Sequence, residues 1–455
     1  MKRGMFFWFL ALMFCAVSCA DNANFEPENA QIEKREQLRE KLSHEVTQAE
    51  ARENLEKLLL EMKIPSTRGG DAMQIPPITS VYTRGKAALA TRAGEAVEPY
   101  FHIFNFGDNE GFAIMSGDDR VEPLLALTFE GELTPETEID NPGFEIAYSR
   151  MEDYYIARIG VADTIPSIGF DDPILPGDSL YDPIITIDTV KVFNSNGPCQ
   201  VKWGNAYPYN NYCTIQPGNV NVPVPSTCVA IAQLMSIYEY PNSYYSYLQN
   251  QTYTFNWDEM NLYTIYKQGR PDLNPYLTDS SKYNQIARLY QQLCASANLN
   301  VMYNQTNASI PGQCHPDRVP ITFTNFGYSS GGVQIAYNTN TVIDELKGGF
   351  PVLIGGSEQE SVQNQIHRHR WLGHGLMQLF TTTSQYLFLQ GWVTMGPFET
   401  NYILCNFGMN GNHDGYYLSN AFNTNTGPDI PETRSGEVVE GYYQYNIDAF
   451  INIRK

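Results

Sequence analysis

Between Pro166 and Pro183 the chain carries four prolines among scattered aspartates, with no helical or strand periodicity. Such a stretch is extended and exposed, and no core can be built through it. It therefore divides the 455 residues into a shorter N-terminal unit and a longer C-terminal one. Length asks for the same division, at roughly 100–200 residues per domain. The expected boundaries are a leader over 1–19, a first domain over 20–165, a connector over 166–189 and a second domain over 190–455. With 42% apolar residues, 17% charged residues, 30 Tyr and 23 Phe, both domains can bury real cores. The formal net charge of −21 excludes the basic footprint that a nucleic-acid partner requires.

The leader reads as an export signal. Lys2 and Arg3 precede an apolar run from Met5 to Val17, which is too short for a comfortable membrane span. It ends in Ala16-Val17-Ser18-Cys19, which resembles a bacterial lipobox. On that reading Cys19 is lipidated, becomes the mature N-terminus and anchors the protein in the cell envelope. Ordinary cleavage near Ala20 would instead discard Cys19 and release the protein, and either route takes it out of the cytoplasm. Export permits disulfides among Cys199, Cys213, Cys228, Cys294, Cys314 and Cys405. None has paired zinc-site spacing. Cys199 and Cys213 are the nearest pair and a candidate bridge.

Periodicity places a charged helix over Gln31–Lys63 and a loop or weakly ordered insert over Ser66–Glu98. Pro99–Asn105, the turn Gly107-Asp108-Asn109 and Phe112–Met115 form a hairpin signal. Phe144, Ala147, Tyr148, Met151 and Tyr155 fall at helical spacing, as do Ile231, Leu234, Met235 and Tyr238, and Ile286, Leu289, Tyr290, Leu293 and Ala297. Pro351–Ile354, Tyr386–Leu389 and Tyr402–Asn406 read as strands.

Cys228 sits at the start of the helix that Pro241 stops. A thiol over the first turn of a helix faces unpaired N–H groups and the positive end of the dipole, which favour the thiolate. The opposing reading is an inert buried cysteine opening a core helix. A base must accompany the thiol. His44 and His102 lie in the first domain, and His367 and His369 stand in a polar, Arg-flanked stretch that reads as a solvated loop. His374 stands between Gly373 and Gly375 at an apparent strand start, where glycines allow close backbone approach. No carboxylate or thiol completes a metal set with these histidines. Asn406, closing a strand, could accept the imidazole N–H and orient the ring, or simply begin a glycine-rich turn.

Taken in order, these segments resemble the streptopain family of secreted bacterial cysteine peptidases. Lys202-Trp203-Gly204-Asn205 with Pro208-Tyr209-Asn210 is similar to the family's Trp-Gly-Gln and Pro-Tyr-Asn segment. Thr227-Cys228-Val229-Ala230 with Ala232-Gln233-Met235 resembles its nucleophile helix, and Gly373-His374-Gly375 its Gly-His-Ala. Asn325-Phe326-Gly327-Tyr328, Pro351-Val352-Leu353, Asn406-Phe407-Gly408-Met409 and Asp414-Gly415-Tyr416-Tyr417 have counterparts as well. In the first domain, Gly111–Asp119 resembles the propeptide's Gly-Phe-Val-Ile-Val-Ser-Gly-Asp.

The resemblance implies an α+β fold, with a papain-like two-lobed peptidase domain behind a smaller α+β propeptide domain that inhibits it until cut away. It implies a Cys228–His374 dyad oriented by Asn406, an oxyanion site at Asn205 and the Cys228 N–H, and no metal or organic cofactor. Extended peptides or proteins would be the substrates, with an apolar residue two before the cut preferred. Three positions depart from the family. Asn205 stands where the family has Gln, and Phe407 and Met409 replace two tryptophans. A donor misplaced by about 1 Å can lower a rate on the order of a hundredfold. The rival expectations are a catalytically silent peptide-binding or partner-binding relative, the same chemistry on another amide, or an N-terminal domain acting as a free inhibitor.

Overall fold

The computed structural model describes residues 44–62, 77–85, 99–164, 184–194, 199, 201–262, 280–358, 369–387, 391–423 and 445–455. The leader with Cys19, Gln200, His367 and the connector up to residue 183 lie outside these residues.

The N-terminal unit begins with helix α1 (Gln48–Met62). Thr47 opens it with a capping box, its N–H and hydroxyl donating to Glu50 Oε2 at 2.8 and 2.7 Å, while the Glu50 N–H donates back to Thr47 Oγ1 at 3.3 Å. Ala51, Leu55, Leu58 and Leu59 form its buried stripe. Strands β1 (Ile78–Gly85), β2 (Pro99–Phe106), β3 (Phe112–Ser116) and β4 (Leu124–Thr128) follow as an antiparallel meander. Helix α2 (Pro142–Thr164) starts where Asn141 Oδ1 accepts from the Gly143 and Phe144 N–H groups at 3.1 and 3.2 Å, and Pro142 occupies the first helical position.

Strand β5 (Ile184–Asn194) enters the second unit, followed by the short ladders β6 (Thr214–Ile215) with β7 (Val220–Asn221) and, beyond helix α3 (Ser226–Tyr238), β8 (Ser243–Ser246) with β9 (Gln251–Thr254). Helices α4 (Trp257–Leu262), α5 (Ser280–Cys294) and α6 (Arg318–Asn325) come next. After β10 (Ser330–Ala336) and α7 (Thr339–Lys347) the chain makes β11 (Val352–Glu358), β12 (His369–Leu387), β13 (Gly391–Asn406), β14 (Gly415–Leu418) and β15 (Tyr445–Arg454).

Eleven strands form one sheet, in the order β1-β2-β3-β4-β14-β13-β12-β11-β15-β10, with β5 on β12. The two units join through β4 and β14, where Thr128 faces Gly415 and Ala126 faces Tyr417. Their hydrophobic cores also merge: Phe101, Ile114 and Phe144 belong to one cluster with Trp371, Tyr417 and Ile447. A second core lies within the helical lobe, built from Trp203, Tyr209, Ile231, Leu289, Leu293 and Phe326. The sheet contributes Leu353, Leu372, Phe450 and Ile453 to it. Two lobes thus meet along the face of β11, β12 and β15.

Two local expectations are corrected. The insert expected as a loop contains β1, because Val81 and Tyr82 find partners in Phe104 and Ile103 of β2. The connector runs into β5, whose described side chains stay exposed or half-buried and which pairs with β12 from Asn194 opposite Gly375 to Ile184 opposite Ser384. His369, expected in a solvated loop, opens β12 opposite Gly356.

Candidate active site

Helix α3 has Pro225 as its extended N-cap and Ser226 as its first residue. The backbone of Asn205 holds this start, its carbonyl accepting from the Val224 N–H at 2.9 Å. Asn205 therefore stands beside the entrance of α3. In the first turn only Ser226 keeps partial exposure, whereas Thr227, Cys228 and Val229 are buried. Residues two apart on a helix point about 200° apart. Cys228 accordingly faces away from Ser226, into the helical-lobe core.

Cys228 is therefore enclosed in this structure. Its Sγ lies 3.9 Å from the Tyr290 carbonyl of α5, and its thiol neighbour is Cys294. Burial pushes the Cys228 thiol up, away from the thiolate, the opposite of what an activated nucleophile requires. The helix dipole does not offset this, because a fully enclosed thiolate would lose its hydration.

His374 sits at the β12 irregularity, where the register slips between Gly373 opposite Cys405 and Gly375 opposite Leu404. It is buried, and its Nδ1 accepts from the Cys199 N–H at 3.1 Å. The neutral ring then carries its proton on Nε2. Burial lowers its pKa to about 3, which leaves it a poor proton acceptor near neutrality. Asn406 does close β13, but both ends of its amide go to backbone. Nδ2 donates to the Val201 carbonyl at 2.9 Å, and Oδ1 accepts from the Gly408 N–H at 3.0 Å. His374 and Asn406 share Cys199 as a neighbour, since Asn406 Nδ2 lies 4.0 Å from Cys199 Sγ. Cys228 does not join them. Cys199 and Cys213 are both free thiols, so the candidate bridge is absent.

Two residues at the lobe junction were missed by sequence reasoning. Ser226 Oγ accepts from the Arg370 N–H at 3.0 Å, which brings β12 onto the start of α3. The Arg370 guanidinium is buried, paired with Asp448 at 2.9 Å and held over the Phe450 ring with its Cζ 4.6 Å from the centroid. Gly355 makes room for it, since a Cβ there would stand 2.8 Å from Arg370 Cζ. The sequence hid this arrangement because α3 is buried almost all round, so no amphipathic phase shows which first-turn residue faces the cleft.

The N-terminal unit packs against the same region. A Cβ on Gly143 would lie 2.4 Å from Phe407 Cδ1 and 2.8 Å from His369 Cδ2. Asn141 Nδ2 donates to the Asn412 carbonyl at 2.7 Å, and the His413 ring stacks on Phe144 with centroids 4.3 Å apart. Lys202 pairs with Glu130 across the junction. Burial drives the pKa values of both His369 and His413 down to about 4. It pushes Asp414, which accepts from the Phe407 N–H at 2.9 Å, up to about 7. Phe407 itself fills the space between Trp371 and Tyr417.

The Peptidase C10 family matches residues 203–417, and the Spi protease inhibitor family matches residues 43–153. The thiol protease/hemagglutinin PrtT of Porphyromonas gingivalis is 23% identical over 204 residues, 42% of this chain and 23% of that protein. The chain thus spans about a quarter of that relative's length. Among solved structures, a prointerpain A fragment from Prevotella intermedia aligns over 83% of this chain and 99% of its own, with 15% identity and a TM-score of 0.47. Active interpain A from the same organism aligns over 58% and 96%, with 16% identity and a TM-score of 0.34. The two family matches fall on the C-terminal and N-terminal units described above. They support the build of a cysteine-peptidase zymogen.

Proposed function

The chain belongs to the Peptidase C10 (streptopain) family, with that family's inhibitor-type domain ahead of the peptidase domain, and from this premise we propose that its cleft binds extended polypeptide at the start of α3 without using Cys228 as a nucleophile. The observation that carries this reading is the rotation of α3, which presents Ser226 to the lobe junction and turns Cys228 into the core. The Ser226 hydroxyl oxygen accepts from the Arg370 N–H. A peptide lying along the junction would meet Asn205, Ser226 and the N–H groups of the first turn, which suit a carbonyl oxygen. The N-terminal unit would act as the intramolecular occupant and inhibitor of that cleft, joined to the second unit through the 166–189 connector, where maturation cleavage would fall. Export, with Cys19 as a lipid anchor in the cell envelope, completes the proposal.

Family membership favours a second reading, a working cysteine endopeptidase. It would use Cys228 as nucleophile, His374 as base, Asn406 as its orienting partner and Asn205 in the oxyanion site. It requires α3 to turn about its axis and His374 to leave the Cys199 N–H. Treatment of the native and processed protein with an epoxide-type thiol inhibitor separates the two. The first reading predicts no label on Cys228, no hydrolysis of a peptide panel, and saturable binding of extended peptides. Label on Cys228 that disappears in Cys228→Ala, together with peptide hydrolysis, would establish the second.

A further inference from the structure

The hairpin of β12 and β13 runs well beyond the two cores. Leu379 of β12 and Tyr402 of β13 are the outermost residues of these strands to join a hydrophobic cluster, yet the strands stay paired out to Leu387 opposite Gly391. At about 3.3 Å per residue the arm reaches roughly 20 Å past its root. Strand β5 flanks it, from Ile187 opposite Thr381 to Ile184 opposite Ser384. From Trp371 to Phe398 the sequence carries no Asp, Glu, Lys or Arg, in a chain of formal net charge −21. Charge resumes at the root, where Glu399 pairs with Lys347 of α7 at 3.5 Å and where Asp188 and Lys191 of β5 stand against Thr382 and Phe380. Neither reading of the cleft gives this arm a task.

The arm is apolar and open on both faces. Trp392, opposite Tyr386, is 53% exposed and shares its face with Ser384 and Thr394, whose hydroxyls meet at 2.8 Å. Met395, opposite Thr383, and Phe398, opposite Thr381, are 41% and 50% exposed. They share the other face, because the bulge between these two pairs puts one extra residue into β13. A protein partner docked on one face would leave the other in water. A second copy adding a strand along the outer edge of β13 would meet Pro397, which has no N–H, and the bulge beside it. A lipid surface surrounds both faces at once. An uncharged arm suits an electroneutral surface, whereas the acidic body is repelled by anionic lipid. Hydrocarbon cannot satisfy the backbone groups along the edges of a sheet, so the arm is confined to the headgroup region.

We infer that the β12–β13 arm is a membrane-contact site, which lays Trp392, Met395 and Phe398 among the headgroups of an electroneutral lipid surface. An indole, apolar in body with one N–H, is favoured at that depth. The site belongs to the C-terminal unit, whereas Cys19 precedes the N-terminal one. Cleavage in the 166–189 connector would part the second unit from a lipid on Cys19, and the arm would keep that unit at the surface. A contact of this kind without an acyl chain is reversible, so the processed unit would exchange between surface and solution. The inference rests on the proposed export and on neither reading of the cleft.

The test uses the processed chain from residue 20 onward, without leader or lipid, and vesicles of phosphatidylcholine. Trp8 leaves with the leader, and Trp203, Trp257 and Trp371 are buried, so quenching of fluorescence by bromine on the acyl chains reports on Trp392. The expected result is co-sedimentation with the vesicles and quenching of that emission. Partitioning should be about tenfold or more weaker when Met395→Glu and Phe398→Glu are combined, with the thermal midpoint unchanged. Wild-type protein that neither sediments nor is quenched would overturn the inference. So would equal binding by the variant, or a dimer that light scattering detects without vesicles and that the variant abolishes. The quenching uses the wild-type chain, so failure of the variant to fold does not affect it. Incorporation of labelled fatty acid at Cys19 in the full chain tests the export reading separately.

Discussion

Acid should weaken the junction between the N-terminal unit and the sheet lobe, and His413 allows the effect to be isolated. Its ring stacks on Phe144 and borders Gly131, and its edge meets Phe112. Burial lowers its pKa to about 4, with Asp140 opposing. In the unfolded chain the ring returns to about 6.5. The neutral form is thus the one the folded state prefers, so this contribution is complete above pH 6.5 and is lost as pH falls toward 4. Linkage over that shift gives about 2.5 kcal/mol lost at pH 4.5 relative to pH 7.5. His369, against Gly143, carries the same sign, with its pKa also near 4. Asp414 acts in the opposite sense, since a carboxyl raised to about 7 stabilises the fold at low pH and loses that effect as pH rises toward 7. The total pH dependence therefore mixes signs, whereas the difference between wild type and His413→Phe does not, because Phe keeps the stack and removes the titration. Urea unfolding of both proteins at pH 7.5 and 4.5 should show the wild type losing about 2.5 kcal/mol more than the variant. Curves that shift in parallel would refute the argument that the N-terminal unit holds this ring neutral.

Two further substitutions test the packing at the site. Gly143→Ala should destabilise by about 1–3 kcal/mol in spite of the better helix former, because its methyl group would stand 2.4 Å from Phe407 Cδ1; a rise in the unfolding midpoint would contradict the close contact. Arg370→Met should lower stability by about 3–5 kcal/mol by leaving Asp448 buried without its cation, and adding Asp448→Leu should restore much of the loss. Additive losses in the double variant would show that the two residues are not coupled.

Much of the fold was legible because local signals agreed with tertiary context. The β2–β3 hairpin was marked by alternation around a Gly-Asp-Asn turn, and α2, α3 and α5 by their apolar spacing. Strands β1 and β5 were hidden although Val81, Tyr82, Ile184, Ile185, Ile187, Val190 and Val192 favour strands, because each stands beside a Gly-, Pro- or Asp-rich stretch; both are completed by non-local pairing with β2 and β12. At the site, the place of Asn406 at the end of β13 could be read from the glycine-rich turn that follows it, whereas Asn205 was singled out only by the family resemblance. The phase of α3 could not, because a helix apolar on every side fits equally well with residue 226 or residue 228 turned to the cleft. His369 misled for a related reason: its Arg-rich surroundings suggested solvent, yet the Arg370 side chain beside it is buried by its pairing with Asp448.

The orientation of α3 can be measured directly by the alkylation rate of a thiol placed at residue 226. In Ser226→Cys the new thiol would sit at the partly exposed first position of the helix, where the unpaired N–H groups favour its thiolate. It should react with iodoacetamide in the native protein at neutral pH, while Cys228 in the same molecules reacts only after denaturation. Rapid native labelling of Cys228, in the variant or in the wild type, with residue 226 left unmodified, would contradict the assignment of Ser226 to the cleft and Cys228 to the core.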